Sequence, residues 1–192
     1  MKTLDYHRAI IVIVAAAFLG ACASDTDKTT GQIRAAASKS KPTAIAVLSP
    51  APNGQVKGQV TFVQEDEGVR VTANIEGLTP GKHGFHIHEK GDCSAPDFSS
   101  AGGHFNPGHT QHGAPTDPMH HGGDFGNIEA NDQGVARFER VFNWLSMSGT
   151  NSILNHAVIV HDKPDDLKTQ PTGNAGGRVA CGVIQSSSGA GR

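Results

Sequence analysis

Eight of the chain's eleven histidines fall within the forty-two residues from His83 to Asp124. Seven of them occur in H-G-F-H-I-H-E-K-G-D-C at 83–93, G-G-H-F-N-P at 102–107, H-G-A-P at 112–115 and H-H-G-G-D at 120–124, and the eighth is His109. Gly, Pro and Asn separate them, rather than the charge runs of a solubilising tail. The pattern reads as an ordered loop system that carries ligands for metal, two ions close together. Any fold proposed for the chain must present such a loop.

The flanking sequence supplies short strands. Thr43–Leu48 is rich in Ala, Val and Ile. Val56–Glu65 alternates, and Val69–Ile75 sets Val69, Val71, Ala73 and Ile75 against Arg70, Thr72 and Asn74. Period two over such lengths predicts half-buried antiparallel strands. Asp66-Glu67-Gly68 is a hairpin turn between the two, and Leu78-Thr79-Pro80-Gly81 leads into a strand over Gly84–His88. Gly126–Ala130, Gly134–Val141, Ala157–His161 and Arg178–Ile184 complete a set of eight, with Asn131–Gly134 as a further turn. Eight short strands without a long helical pattern predict an all-β sandwich or barrel. Two loops, 89–124 and 162–177, are long enough to carry function.

The start of the chain differs in texture. Lys2 and Arg8 accompany an apolar run from Ala9 through Leu19, too short to span a membrane comfortably and suited to an export signal over residues 1–21. Its ending, Leu19-Gly20-Ala21-Cys22, resembles the bacterial lipoprotein processing box. Cys22 would then carry lipid, and residues 22–42 would tether an anchored, non-spanning protein to a membrane of the cell envelope, facing the periplasm or exterior. A helical turn over 31–39 fits within that tether. Setting Cys22 aside leaves Cys93 and Cys181, either a disulfide in an oxidising compartment or two buried thiols. The net charge of -2 gives no reason to expect a nucleic-acid partner. No G-x-G-x-x-G in a βα turn is present either.

Two donor sets emerge from the spacing. His86 and His88, at i and i+2 of a strand, share a face, and His161 at the end of another strand can add a third imidazole. An all-nitrogen set suits copper or a similar borderline ion. His104, His112, His121 and Asp124 supply three nitrogens and a carboxylate, a tetrahedral zinc set. His109 and His120 are left over.

At these residues the chain resembles the copper/zinc superoxide dismutases, from about residue 43 to residue 184. The likeness is carried by G-F-H-I-H-E, G-G-H-F-N-P, H-G-A-P, H-x-G-D-x-G-N, A-V-I-V-H with D-K-P-D-D, and G-N-A-G-G-R-V-A-C-G, in that order. The resemblance implies an eight-stranded Greek-key β-barrel over 43–192. It implies copper on His86, His88, His104 and His161, and zinc on His104, His112, His121 and Asp124, with His104 as the bridge. Asp165 would link a copper histidine to a zinc histidine, Arg178 would stand at the mouth of the copper site, and Cys93 and Cys181 would form the family's disulfide. The implied reaction converts two superoxide anions to dioxygen and hydrogen peroxide. By the same resemblance His104 would take up a proton during the cycle and pass it on to peroxide, and Arg178 would guide the anion.

The likeness is mixed in detail. Cys93 lies five residues after His88, as in exported bacterial forms, whereas 102–127 looks more like the intracellular eukaryotic forms. The 162–177 loop lacks their charged insertion, so their substrate-steering residues do not transfer one for one. Subunit arrangement stays open between monomer and homodimer. Two other readings use the same residues: a metal-buffering or copper-delivery protein without turnover, and an inactive barrel for adhesion or assembly. The complete set of ligand residues, with Arg178, argues against both.

Overall fold

The computed structural model describes residue 41 and residues 43–187. The 1–21 segment, Cys22, the turn over 31–39 and all of the tether except Lys41 lie outside the described residues. Among the described residues no helix is long and apolar enough to cross a membrane.

All eight expected strands are present. They are β1 (Thr43–Pro50), β2 (Lys57–Glu65), β3 (Gly68–Glu76), β4 (Gly81–His88), β5 (Asp124–Ala130), β6 (Ala136–Phe142), β7 (Ala157–His161) and β8 (Arg178–Val183). A two-residue β9, Gln185–Ser186, adds a short pairing to β1. Neighbours run β2-β3-β6-β5-β4-β7-β8-β1, and β1 pairs with β2, which closes an antiparallel barrel. Among the described residues, closure leaves no long free strand edge for another chain to extend. The links from β3 to β4 and from β6 to β7 each skip two neighbours, giving the Greek-key topology.

The alternation read in β3 is realised: Val69, Val71, Ala73 and Ile75 are buried, while Arg70, Thr72 and Asn74 face outward. Glu65 pairs with Gly68 across Asp66-Glu67 as the hairpin predicts. In the β5–β6 turn the Asn131 side chain accepts from the backbone N–H of Gln133 and of Val135, both at 3.0 Å. Phe62, Phe85, Phe125 and Phe142 fill the barrel, with Phe125 and Phe142 stacked at 4.4 Å between ring centroids.

Both long loops, 89–124 and 162–177, lie between strands as expected. A third long connection, residues 143–156, closes one end of the barrel by burying Leu145, Met147 and Ile153. Its Trp144 Nε1–H donates to Gly122 O at 3.0 Å and ties it to the histidine-rich loop. Its apolar residues follow neither a helical nor a strand period, so periodicity could not reveal it.

Candidate metal centre

β4 has two differently used faces. Phe85 and Ile87 point into the apolar core, whereas His86 and His88 point outward, yet all four are fully buried. The long loops provide that cover. After β4 the chain turns back: Phe105 N–H donates to Ile87 O at 2.8 Å, Ile87 N–H to Gly123 O at 3.0 Å, and Gly123 N–H to Phe105 O at 2.8 Å. This short ladder sets His104 beside His88 and places Asp124, at the head of β5, opposite His86. On the other flank β7 pairs with β4 and ends in His161, whose ring lies 5.0 Å from that of His86 and 5.6 Å from that of His88.

Two groups of ligand atoms result, each with all members within 4.8 Å of one another. One comprises His86, His88, His104 and His161; the other comprises His104, His112, His121 and Asp124. These are the two quartets expected from the sequence, and His104 belongs to both. His120 belongs to neither; its ring packs on Trp144 at 4.2 Å, and its Nδ1–H donates to His121 O. His109 also falls outside both groups.

The hydrogen bonds test whether these residues suit metal ions. Seven buried side-chain nitrogens or oxygens among the described residues lack a hydrogen-bond partner, and six of them belong to the two groups. They are His86 Nδ1, His88 Nε2, His104 Nε2, His161 Nε2, His121 Nδ1 and His112 Nδ1, the last lying 3.0 Å from Asp124 Oδ1 but without hydrogen-bond geometry. Unpaired buried polar atoms are costly and scarce in folded proteins, so six converging on two points require a partner of another kind. In the first group the opposite ring nitrogens are held. His86 Nε2 lies 2.7 Å from Asp165 Oδ2, His88 Nδ1 2.9 Å from Gly102 O, and His161 Nδ1 3.3 Å from Gly176 O. A hydrogen on each held nitrogen leaves the other with its lone pair aimed inward, the tautomer a metal needs.

In the second group Asp124 Oδ1 lies 2.8 Å from His104 Nδ1, 3.0 Å from His112 Nδ1 and 3.6 Å from His121 Nδ1. A tetrahedral ion with bonds of about 2.0–2.1 Å holds its ligand atoms roughly 3.3 Å apart. The spacing fits such an ion. Asp124 Oδ2 is turned away and accepts the N–H groups of His121 and Gly113 at 2.8 and 3.1 Å. Asp165 joins the groups from behind, accepting from His86 through Oδ2 and lying 3.0 Å from His112 Nε2 through Oδ1.

Electrostatics set His112 apart from its neighbours, since burial also lowers His121 of its own group. Burial, followed by the charge of His104, pulls His86 down to about 3, and burial pulls His161 down to about 4. Burial also holds His88 well below the usual histidine range. His112 behaves oppositely: burial lowers it, but Asp124 and Asp165 outweigh burial and bring it up to about 9. For Asp124 and Asp165 burial opposes ionisation, yet their histidine partners hold both carboxyls well below the ordinary range.

These shifts give the metal-free protein a defined pH dependence. Folded His86 and His161 titrate below their unfolded value of about 6.5. Acidification from pH 6.5 to 4 therefore protonates the unfolded chain first and lowers stability, by up to about 1.4 kcal/mol per pH unit for each group. His112 has the opposite sign. Its contribution is complete below about pH 6.5 and is lost as pH rises through about 9. Thermal midpoints measured in chelator should peak near pH 6.5 and fall on both sides; a flat profile between pH 4.5 and 9 would contradict this assignment.

Arg178 opens β8 beside the first group. Its Nη1 and Nη2 donate to Phe98 O at 2.5 Å and Gly102 O at 2.6 Å, which fixes the half-buried guanidinium. Gly102 O therefore serves both Arg178 and His88. Gly102 has φ 73 and ψ -153, a backbone region essentially confined to glycine, so glycine is required for this carbonyl to point as it does. The Cys93–Cys181 disulfide is present, with Cα atoms 5.9 Å apart, and fastens the same segment to β8.

Three contributors escaped the sequence reading. Gly102 and Gly176 act through carbonyl oxygens, which have no residue signature. His83 is buried, with Nδ1 2.8 Å from His161 O and Nε2 2.8 Å from Thr79 O, and so braces the end of β7. Its place in H-G-F-H-I-H was the available signal.

A Greek-key barrel with two buried donor quartets sharing one imidazole presents two adjacent sites suited to metal ions. Residues 56–184 match the family model for copper/zinc superoxide dismutase, and the chain belongs to that family. It is also similar to the clock protein EA4, whose crystal structure is known. That match has 44% identity and a TM-score of 0.70, and covers 76% of this chain and 95% of the other.

Proposed function

We propose that the protein disproportionates superoxide to dioxygen and hydrogen peroxide, with copper held by His86, His88, His104 and His161 and zinc by His104, His112, His121 and Asp124. The observation that carries this reading is the shared ring of His104, whose Nδ1 faces the second group while its unpaired Nε2 faces the first. Copper in the first quartet would supply a one-electron couple that oxidises one superoxide and reduces the next. Zinc suits the second quartet because four protein donors complete a tetrahedron and leave no position for a reacting water.

The chain's own groups perform the remaining work. The Arg178 guanidinium, anchored by two carbonyls, presents its remaining N–H edge to a small anion and holds it beside the first quartet. His104 Nε2 can hold a proton and release it to reduced dioxygen; a second proton from solvent completes hydrogen peroxide. Asp124 and the loop ladder keep the ring in place while the proton is carried. The same reading places the enzyme in the cell envelope on a lipid attached to Cys22. Support comes from the Leu-Gly-Ala-Cys sequence and from a disulfide suited to an oxidising compartment.

Superoxide decay after pulse radiolysis tests the activity. Protein loaded with both metals should accelerate decay catalytically, and an Arg178→Ala protein should be slower by about tenfold at low salt, with a weaker dependence on ionic strength. No acceleration despite bound metal would overturn the proposal and leave metal storage or delivery in its place.

A further inference from the structure

We propose that Gln170 is a positioning residue for His112, acting on the zinc side of the centre. The inference rests on the metal assignment above. Gln170 Oε1 accepts the backbone N–H of His112 at 2.8 Å, and Gln170 Nε2 donates to the backbone carbonyl of His112, also at 2.8 Å. One planar amide thus pairs with both main-chain groups of a ligand residue, as a neighbouring strand would. Fixing N–H and C=O together fixes the direction of the Cα–Cβ bond, and with it the ring.

That ring has little latitude. Its Nδ1 faces Asp124 Oδ1 at 3.0 Å and its Nε2 faces Asp165 Oδ1 at 3.0 Å, so rotation that improves one contact spoils the other. Asp165 is held by the same device. The Asn127 side chain accepts from Asp165 N–H at 2.8 Å and donates to Asp165 O at 2.9 Å. The Asp165–His112 contact is therefore gripped on both sides by side-chain amides, one from β5 and one from the 162–177 loop.

The loop presents Gln170 from a closed turn. Asp166 N–H donates to Gly173 O at 2.8 Å, and Gly173 N–H donates to Thr169 O at 2.7 Å. The Asp166 carboxylate accepts the N–H groups of Lys168 and Thr169 at 3.0 and 2.8 Å. Gln170 contributes nothing to the apolar core and is itself exposed. Its hydrogen bonds within this turn reach only the carbonyl of Lys168. A role confined to His112 is what this placement allows.

The test uses the full-length protein stripped of metal, then titrated with cobalt(II) as a visible reporter of a tetrahedral N₃O site and with zinc against a chromophoric chelator. Gln170→Leu keeps the bulk of the side chain and removes both bonds. Gln170→Glu keeps the acceptor but opposes a carboxylate oxygen to His112 O. Both variants should weaken zinc by about tenfold or more and shift the cobalt spectrum. The copper affinity of the other quartet and the metal-free thermal midpoint should stay close to those of the parent. Parent-like affinity and cobalt spectrum in Gln170→Leu, with the parent binding normally, would overturn the inference alone. Failure of the parent to bind cobalt or zinc would overturn the metal assignment and the inference with it. Equal losses on both quartets together with a lowered midpoint would show a general structural role and also overturn it.

Discussion

Gly173→Ala will leave a folded barrel that binds zinc about tenfold to a hundredfold more weakly than the parent. The Cβ of alanine would fall on Asp165 Oδ1, inside van der Waals contact, and 2.7 Å from His112 Nε2. Neither neighbour can yield freely. Asp165 also accepts from His86, and His112 is held on the zinc side by Asp124. This double tethering blocks the small side-chain shift that would relieve such a clash, so the Asp165–His112 contact must open. Loss of a carboxylate behind a metal-bound imidazole typically costs about 10–100-fold in affinity or activity. Overpacking adds about 1–3 kcal/mol of destabilisation, and the positive φ of 68° about 1–2 kcal/mol more. Gly149→Ala is the matched control, since Gly149 has φ 71 with no other atom within 4 Å of the place its methyl would take. The control should lose only the backbone part and keep its zinc affinity. Chelator competition and metal-free thermal unfolding on both variants decide the matter; equal behaviour of the two would overturn this expectation.

The second large effect is expected from removing the Cys93–Cys181 bridge. The cysteines lie 88 residues apart, and closing a loop of that length restrains the unfolded chain by about 4–5 kcal/mol in the chain-entropy account. A Cys93→Ser, Cys181→Ser protein should show a metal-free unfolding free energy in urea lower by several kcal/mol. The centre should suffer as well. The bridge holds the segment whose Phe98 and Gly102 carbonyls anchor Arg178, and Gly102 O also positions His88. Superoxide decay should slow in this variant by at least as much as in Arg178→Ala. An unchanged urea midpoint would show that the segment is held by packing around Phe98 and Ala101 rather than by the covalent link.

The barrel could be read from the sequence because its strands alternate and its turns carry strong residue signals. Val69–Ile75 announces a half-buried strand without help from any neighbour. The donor quartets were legible for a different reason. Histidine and aspartate act there through their side chains, so His112, His121 and Asp124 mark themselves by identity and spacing. The link from 143 to 156 was not legible, because Leu145, Met147 and Ile153 are buried by irregular backbone that follows no period. Gly102 and Gly176 contribute carbonyl oxygens, and Gln170 contributes an amide indistinguishable in sequence from any polar loop residue. Such supports become visible only when the chain's distant parts are brought together.

The two faces of β4 keep the apolar core apart from the donor atoms: Phe85 and Ile87 serve one, His86 and His88 the other. The apolar core therefore packs without calling on the donor atoms. A newly folded chain already holds His86 and His161 neutral at physiological pH, so uptake by that quartet displaces no proton from them. His112, held protonated by its two carboxylates, must surrender one before it can bind. For the quartets proposed above, ion binding would therefore be proton-silent at His86 and His161 and proton-coupled at His112.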